Sequence, residues 1–257
     1  MEREAPHISA SQVGFFLDCP KKYQLSYVDK LVPEGEPDWK FVGSEFHKCR
    51  AKIDDGLEWE IAPIPPDSLA TEYDVEKLRA VLTWYSENFR SYIFGTGKSE
   101  VSFKFSTPAR NNVIGQVDRL VTLDSGETAL IEWKYAASDY NALIERRQAS
   151  VYFHAFPDAT RFILLIAKKP AIKVKKNESP SEFFDRSYQY VCDSVSSDSA
   201  IVRSEFMRHE FAIQDEIRAI DTVVEMIDKC RERASFPMLC SPVACPRCDW
   251  RKVCKGL

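Results

Sequence analysis

Along this chain of 257 residues the apolar positions switch between two periods, and the switches mark out the elements. Val113–Leu123 alternates apolar and polar residues, as a strand with one buried face should. Asp124-Ser125-Gly126-Glu127 is a turn signal and Thr128–Lys134 a second β-rich run, so Asn112–Lys134 reads as a hairpin. Glu132 and Lys134 then share one face, with Trp133 on the other. Were Asp124–Glu127 the whole loop, Leu123 would pair with Thr128 and Asp118 with Trp133, turning Glu132 away from Asp118. The pattern therefore predicts an odd-length loop or a bulge.

Ser9 or Ser11 can cap a helix running toward Asp18, which Pro20 breaks and which resumes over Lys21–Val28. Helical spacing follows over about Asp38–Asp54, with Gly43 and His47 at i, i+4, and over Asp74–Tyr92, with Val75, Leu78, Val81, Leu82, Tyr85 and Phe89 on one face. Between them, Gly56–Asp74 carries Pro63, Pro65 and Pro66 and reads as irregular. Glu100–Ser106 alternates as a strand. Asn141–Phe156 is a helix, and the continuous apolar run Arg161–Ala167 a buried central strand. The lysine-rich segment Lys168–Lys176 begins an edge strand, Ser187–Val191 reads as one more strand, and Ser199–Ala234 as one long helix. The order predicts an α/β fold: a mixed central sheet flanked by helices, in a single domain over 1–257. Its core spans about 38–192, with helical N-terminal (9–30) and C-terminal (199–257) segments outside it.

Composition changes little. Hydrophobic content of 44% and charged content of 29% suit a soluble globular protein, and a net charge of −4 gives no overall basic field. A local basic stripe is all that nucleic-acid binding needs. The N-terminal residues lack the layout of a secretory signal, and Phe162–Ala167, the longest apolar run, is too short to span a bilayer. A cytoplasmic chain without a membrane partner is expected, where eight cysteines serve as metal ligands or buried thiols rather than disulfides.

The hairpin carries the chemistry. Asp118 and the Glu132-Trp133-Lys134 triplet offer two carboxylates, the Trp133 carbonyl and an ammonium. Phosphodiester cleavage needs a nucleophilic water, charge neutralisation and help for the leaving oxygen, which Mg2+ or Mn2+ can supply from oxygen ligands. Lys134 would orient the water or stabilise developing charge. Glu100, ahead of the hairpin, reads as a surface charge rather than an extra acid of the site.

Four motifs in order extend this pattern: Gly43-Ser44-Glu45-Phe46-His47, Gly115-Gln116-Val117-Asp118, Glu132-Trp133-Lys134 and Gln148-Ala149-Ser150-Val151-Tyr152. Together they resemble the RecB-like branch of the PD-(D/E)XK nuclease superfamily, whose core is restriction-endonuclease-like. The resemblance implies that His47, Asp118 and Glu132 ligate metal with the Trp133 carbonyl, that Asp118, Glu132 and Lys134 are catalytic, and that Gln148 and Tyr152 line the site.

Cys245, Cys248 and Cys254 form C-x2-C-x5-C, which suits either a [4Fe–4S] cluster or zinc with one further ligand. The iron–sulfur members of the RecB-like branch, CRISPR-associated exonucleases among them, pair such a triplet with one cysteine far upstream. That implies Cys19 here, ranked above Cys240, and a cluster that joins the N- and C-terminal segments. Closing so long a loop is worth about 4–5 kcal/mol by analogy with a disulfide. Cys49, Cys192 and Cys230 read as buried thiols.

Lys168, Lys169, Lys173, Lys175 and Lys176, with Arg146 and Arg147 one helix away, read equally as a solvated edge and as phosphate contacts. Trp133, Tyr135 and Tyr140 are candidates for base stacking, Trp133 more readily for the core. Nothing resembles a groove-reading motif or a Walker A loop. The expectation is a metal-dependent DNA exonuclease working with a helicase, recombination or CRISPR partner; a non-catalytic DNA-binding module of the same fold is the alternative.

Overall fold

The predicted hairpin forms the middle of the sheet. In a computed structural model describing residues 7–31, 33, 38–88, 95–137, 142–195, 201–240 and 245–255, six strands form one mixed sheet. They are β1 (His7–Ile8), β2 (Thr96–Ser106), β3 (Asn112–Thr122), β4 (Thr128–Ala136), β5 (Ala159–Lys168) and β6 (Ile201–Met207). β2 runs antiparallel along one whole edge of β3. The other edge is shared: β4 pairs with Arg119–Thr122 and β1 with Asn112–Val113. Between those two pairings, β3 has no strand partner on that side among the described residues. β5 lies parallel to β4, joined by the crossover helix α5 (Ala142–Ala155), and β6 closes the sheet antiparallel to β5.

Ser9 caps α1 (Ala10–Asp18) through a reciprocal pair of bonds, Gln12 N to Ser9 Oγ at 3.2 Å and Ser9 N to Gln12 Oε1 at 2.8 Å. After Cys19, Pro20 opens the short α2 (Pro20–Tyr23), which runs into a π turn over Gln24–Val28. On one sheet face, α3 (Asp38–Asp54), α4 (Glu72–Asn88) and α6 (Pro180–Val195) pack on Ala129, Ile131 and Trp133 of β4 and on Ile163 and Leu165 of β5. The other face receives α5 against Leu130, Phe162, Leu164 and Ile166. α7 (Ile213–Glu232) and α1 form a further apolar layer with Val151 of α5 and Val113 of β3. β5 is buried on both faces, as its unbroken apolar run requires. No helix among the described residues is long and apolar enough to cross a membrane.

The hairpin register answers the parity problem. Thr122 pairs with Thr128 and Arg119 with Ile131, so the loop is the odd-length Leu123–Glu127. Leu123 N donates to Glu127 O at 2.8 Å, and Gly126 takes the left-handed φ of 84° that the turn needs. Continued by one pair, this register sets Asp118 opposite Glu132.

Three predicted elements differ. Ser187–Val191 is not a strand but part of α6, whose inward positions Phe183, Ser187 and Val191 recur every four residues. A bond pair between Ser179 and Glu182 starts that helix. Lys169–Ser179 is irregular and adds no edge strand. The expected helix over Ser199–Ala234 is instead β6 followed by α7, so the C-terminal segment completes the central sheet and the core does not end near 192. Arg203 and Glu205 disguise β6 as a polar segment. They lie on an exposed edge, where Arg161 Nη1 donates to Glu205 Oε2 at 3.2 Å.

α7 is pinned to the turn between β2 and β3 by Asp221, which accepts from the Thr107 hydroxyl, from Ala109 N at 3.2 Å and from Asn111 Nδ2 at 2.7 Å. Replacing Asp221 by Ala strands these donors, and a loss of about 3 kcal/mol is expected in urea denaturation. An unchanged midpoint would contradict this anchoring role.

Candidate active site

β3 and β4 part beyond the Arg119–Ile131 pair because a side chain takes a backbone partner: Trp133 N donates to Asp118 Oδ2 at 2.6 Å. At the same level, β2 carries Glu100 with φ of 53°, a left-handed conformation costing about 1–2 kcal/mol for a residue with a Cβ. Around these two residues the face presented by each strand reverses. Ser99 and Arg119 turn toward α3, where both contact Asp55, at 3.0 and 3.2 Å. Val101 and Val117, two residues away on their strands, pack toward α5 instead. A regular strand would keep such positions on one face. Glu100 and Asp118 sit at this crossover.

α3 delivers His47 and Arg50 to the same place. His47 Nδ1 lies 3.0 Å from Asp118 Oδ1. Donor atoms of His47, Glu100 and Asp118 all lie within 4.8 Å of one another, close to the span that two bonds of about 2.1 Å to one cation permit. Carboxylates with one imidazole suit Mn2+ as well as Mg2+. Burial raises the Asp118 carboxyl, but the bond to His47, the Arg50 charge and the Trp133 N–H together hold it below the usual range. Glu100 is raised, by burial and then by Asp118, with Arg50 and His47 acting against them.

Glu132 lies on the α5 side. Lys134 Nζ is 2.6 Å from its Oε1 and Gln148 Nε2 2.9 Å, while the Tyr152 hydroxyl is 3.1 Å from its Oε2. That hydroxyl also lies 2.7 Å from Gln116 O, on the stretch of β3 that no strand covers, and accepts from Gln148 Nε2 at 2.5 Å. Burial pushes the phenol well above its ordinary range, with Glu132 adding to the effect. Gly115 has a steric reason: a Cβ there would sit 2.4 Å from Phe103 Cζ, and the Phe103 ring packs edge-on against Tyr152 at 5.7 Å. Gly43, by contrast, faces open space.

Of the residues predicted for the site, His47, Asp118, Glu132, Lys134, Gln148 and Tyr152 line one region in two connected sets, joined by the Glu132–Trp133 peptide. Glu132 is not within 4.8 Å of the His47–Glu100–Asp118 set as a whole. The Trp133 side chain is buried against Phe46 and Tyr85, so only its backbone reaches the site. Arg147 pairs with Glu216 of α7 at 3.6 Å, whereas the Arg146 side chain lies outside the described residues. So does Tyr140; Tyr135 stacks on Phe46 with Lys169 over its ring. Glu100 and Arg50 are the residues that pattern reading passes over. A charged residue opposite Asp118 on the neighbouring strand was the available signal for Glu100, and none pointed to Arg50.

The cysteines stand apart from this site. Cys254 is raised by burial, then by neighbouring Cys248 and Cys19, and further by Cys245, with Lys21 opposing. Yet no three of these sulfurs fall within 4.8 Å of one another, so the gathered cluster expected from the sequence is not formed. Packing of the segments sets their spacing: Trp250 Nε1 donates to Ser26 Oγ at 2.9 Å and Lys21 N to Pro237 O at 3.2 Å. Cys49 is buried and its thiol pushed up to about 11, first by burial and then by Glu45. Cys192 and Cys230 are half-buried and Cys240 exposed.

A hairpin bearing Asp118 and the Glu132-Trp133-Lys134 triplet, inside a mixed sheet flanked by helices, is the arrangement of a nuclease core. The family model of the PD-(D/E)XK nuclease superfamily matches residues 7–255, and the chain belongs to that superfamily. Members use divalent metals, and the fold implies DNA as substrate. No curated protein matches the chain by sequence. Among solved structures, a protein from Eubacterium rectale, provisionally named an exonuclease, is similar at TM-score 0.58 and 10% identity, over 94% of this chain and 87% of that one. A phage-related exonuclease from Haemophilus somnus 129PT matches at TM-score 0.44 and 12% identity, over 90% and 98%.

Replacing Gly115 by Ala is expected to displace Phe103 from Tyr152 and to lower stability by about 1–3 kcal/mol in denaturant titration. A stability equal to that of the parent chain would show that the close approach is not required.

Proposed function

We propose that this protein is a Mg2+- or Mn2+-dependent deoxyribonuclease of the RecB-like branch that acts on DNA ends. The observation that carries the reading is the meeting of His47, Glu100 and Asp118 beside a Glu132–Lys134 pair. His47, Glu100 and Asp118 would hold the cation, whereas Glu132, predicted as a ligand together with the Trp133 carbonyl, is bonded to Lys134, Gln148 and Tyr152. When bound, the cation supplies Lewis-acid activation and charge neutralisation at the phosphate.

The chain's own residues supply the rest. Lys134, paired with Glu132, presents its side-chain amine to a phosphate oxygen or the attacking water. Gln148 and Tyr152 fix the Glu132 rotamer from the α5 side. Because Tyr152 stays protonated, it can act only as a neutral hydrogen-bonding group. End-directed action is favoured because a solved structure similar in fold carries an exonuclease name and the sequence shows no groove-reading motif. Arg146, Arg147 and the lysines of 168–176 are the proposed strand contacts. Unwinding would come from a helicase, recombination or CRISPR partner, in the cytoplasm.

Cys19, Cys245, Cys248 and Cys254 are proposed to hold a [4Fe–4S] cluster, or zinc, as a staple outside the chemistry. Four thiols within electrostatic reach, on segments already bonded through Trp250–Ser26, support this. Replacing Cys248 by Ser should remove bound iron and its visible absorption from anaerobically purified protein, and lower stability by about 4 kcal/mol. Colourless wild type containing zinc would reassign the metal.

End-labelled single- and double-stranded DNA with Mn2+ tests the activity. Wild type should release nucleotides from an end, and Lys134→Ala and Glu132→Ala should slow this by about a thousandfold or more while Lys134→Ala still binds DNA. Binding without cleavage by wild type would favour a non-catalytic DNA-binding module.

A further inference from the structure

Arg50 of α3 is a buried charged group that the proposed chemistry leaves unused. Its side chain is fully buried, yet it sits one helical turn from His47, which is partly exposed. α3 thus presents an imidazole to solvent and, three residues on, a guanidinium behind it. Arg50 Nη1 lies 2.7 Å from Asp54 Oδ2, and Nη2 lies 2.6 Å from Glu100 Oε1 and 3.7 Å from Asp118 Oδ1. Both Nη atoms also lie 3.4 Å from the Asp118 carbonyl oxygen. Asp54 is fixed in turn by the buried Tyr85 hydroxyl, which donates to its Oδ1 at 2.5 Å. A charge removed from water this completely is retained only when its partners are held in place.

The geometry points to Arg50 as a positioning residue that assembles the cation site from behind. It bonds Glu100 directly, holds the main chain of Asp118, and balances two carboxylates that would otherwise repel across the donor set. The left-handed backbone at Glu100 has the same logic, since the ion pair with Arg50 holds the side chain of a strained residue. A lysine cannot substitute: one ammonium does not span Asp54 on one side and Glu100 on the other, as the planar fork does. This inference rests on His47, Glu100 and Asp118 being the cation site.

The test is Mn2+ binding by calorimetry to the full chain, with Mn2+-dependent cleavage measured in parallel. Arg50→Met and Arg50→Lys, confirmed folded by circular dichroism, should each bind Mn2+ about tenfold or more weakly. The Mn2+ concentration for half-maximal cleavage should rise in step, with the rate at saturating Mn2+ close to that of wild type. A merely structural role would lower the active fraction and leave the metal dependence where it was; that result overturns the proposal. Should both variants fail to fold, Asp54→Asn loosens Arg50 from the far side without touching a donor. It should weaken Mn2+ binding in the same direction, and wild-type affinity in it overturns the proposal. Wild type that binds no Mn2+ would instead remove the site assignment itself, and this inference with it.

Discussion

One hydrogen bond organises the site: the Trp133 N–H donates to the side chain of Asp118 rather than to the backbone of β3. A ladder bond there would keep β3 and β4 zipped and bury the hairpin's acids in a regular sheet. Because a carboxylate takes the donor, the strands separate and leave an uncovered stretch of β3. The Tyr152 hydroxyl satisfies the Gln116 carbonyl on that stretch. Two of the backbone groups released by the parting, Trp133 N and Gln116 O, are thus re-bonded by the site's own side chains.

The same locus concentrates charge. Asp54, Glu100 and Asp118 surround one buried guanidinium, while Arg119 lies against Asp55 and within 3.9 Å of Asp54. Buried ion pairs add little net stability, because desolvation cancels most of their attraction. Their value here is geometric. They allow carboxylates to sit close together on the inner side, with His47 partly exposed. Glu132 is handled differently, its carboxylate bonded by the Lys134 ammonium and by Gln148 and Tyr152.

The N-terminal helices and the C-terminal segment pack against one another. α1, α2 and the C-terminal tail share an aromatic contact between Tyr23 and Phe236, and Trp250 is buried with its indole N–H on Ser26. These contacts join the two segments by packing and one hydrogen bond. The terminal segments are structural parts of the fold, since β1 and β6 both enter the central sheet.

Strong local periodicity made much of this legible in advance. Alternation in Val113–Leu123 and helical spacing in Asp38–Asp54 leave one choice of element, and strand parity alone required the odd-length loop Leu123–Glu127. The resemblance to the RecB-like branch pointed to His47, Lys134, Gln148 and Tyr152, and in the fold Lys134, Gln148 and Tyr152 meet at Glu132 while His47 meets Asp118. Where local pattern was ambiguous it misled. Ser187–Val191 looked extended in a short window but belongs to a longer helix, and charges on an exposed edge hid β6 inside an apparent helix. Only the tertiary structure decided that Glu100 joins His47 and Asp118, and that Arg50 stands behind them. Both depend on segments distant in sequence, and on a face reversal created by a backbone torsion at Glu100. Residue pattern records which face a regular element buries; it carries no trace of the place where regularity is broken so that charges can converge.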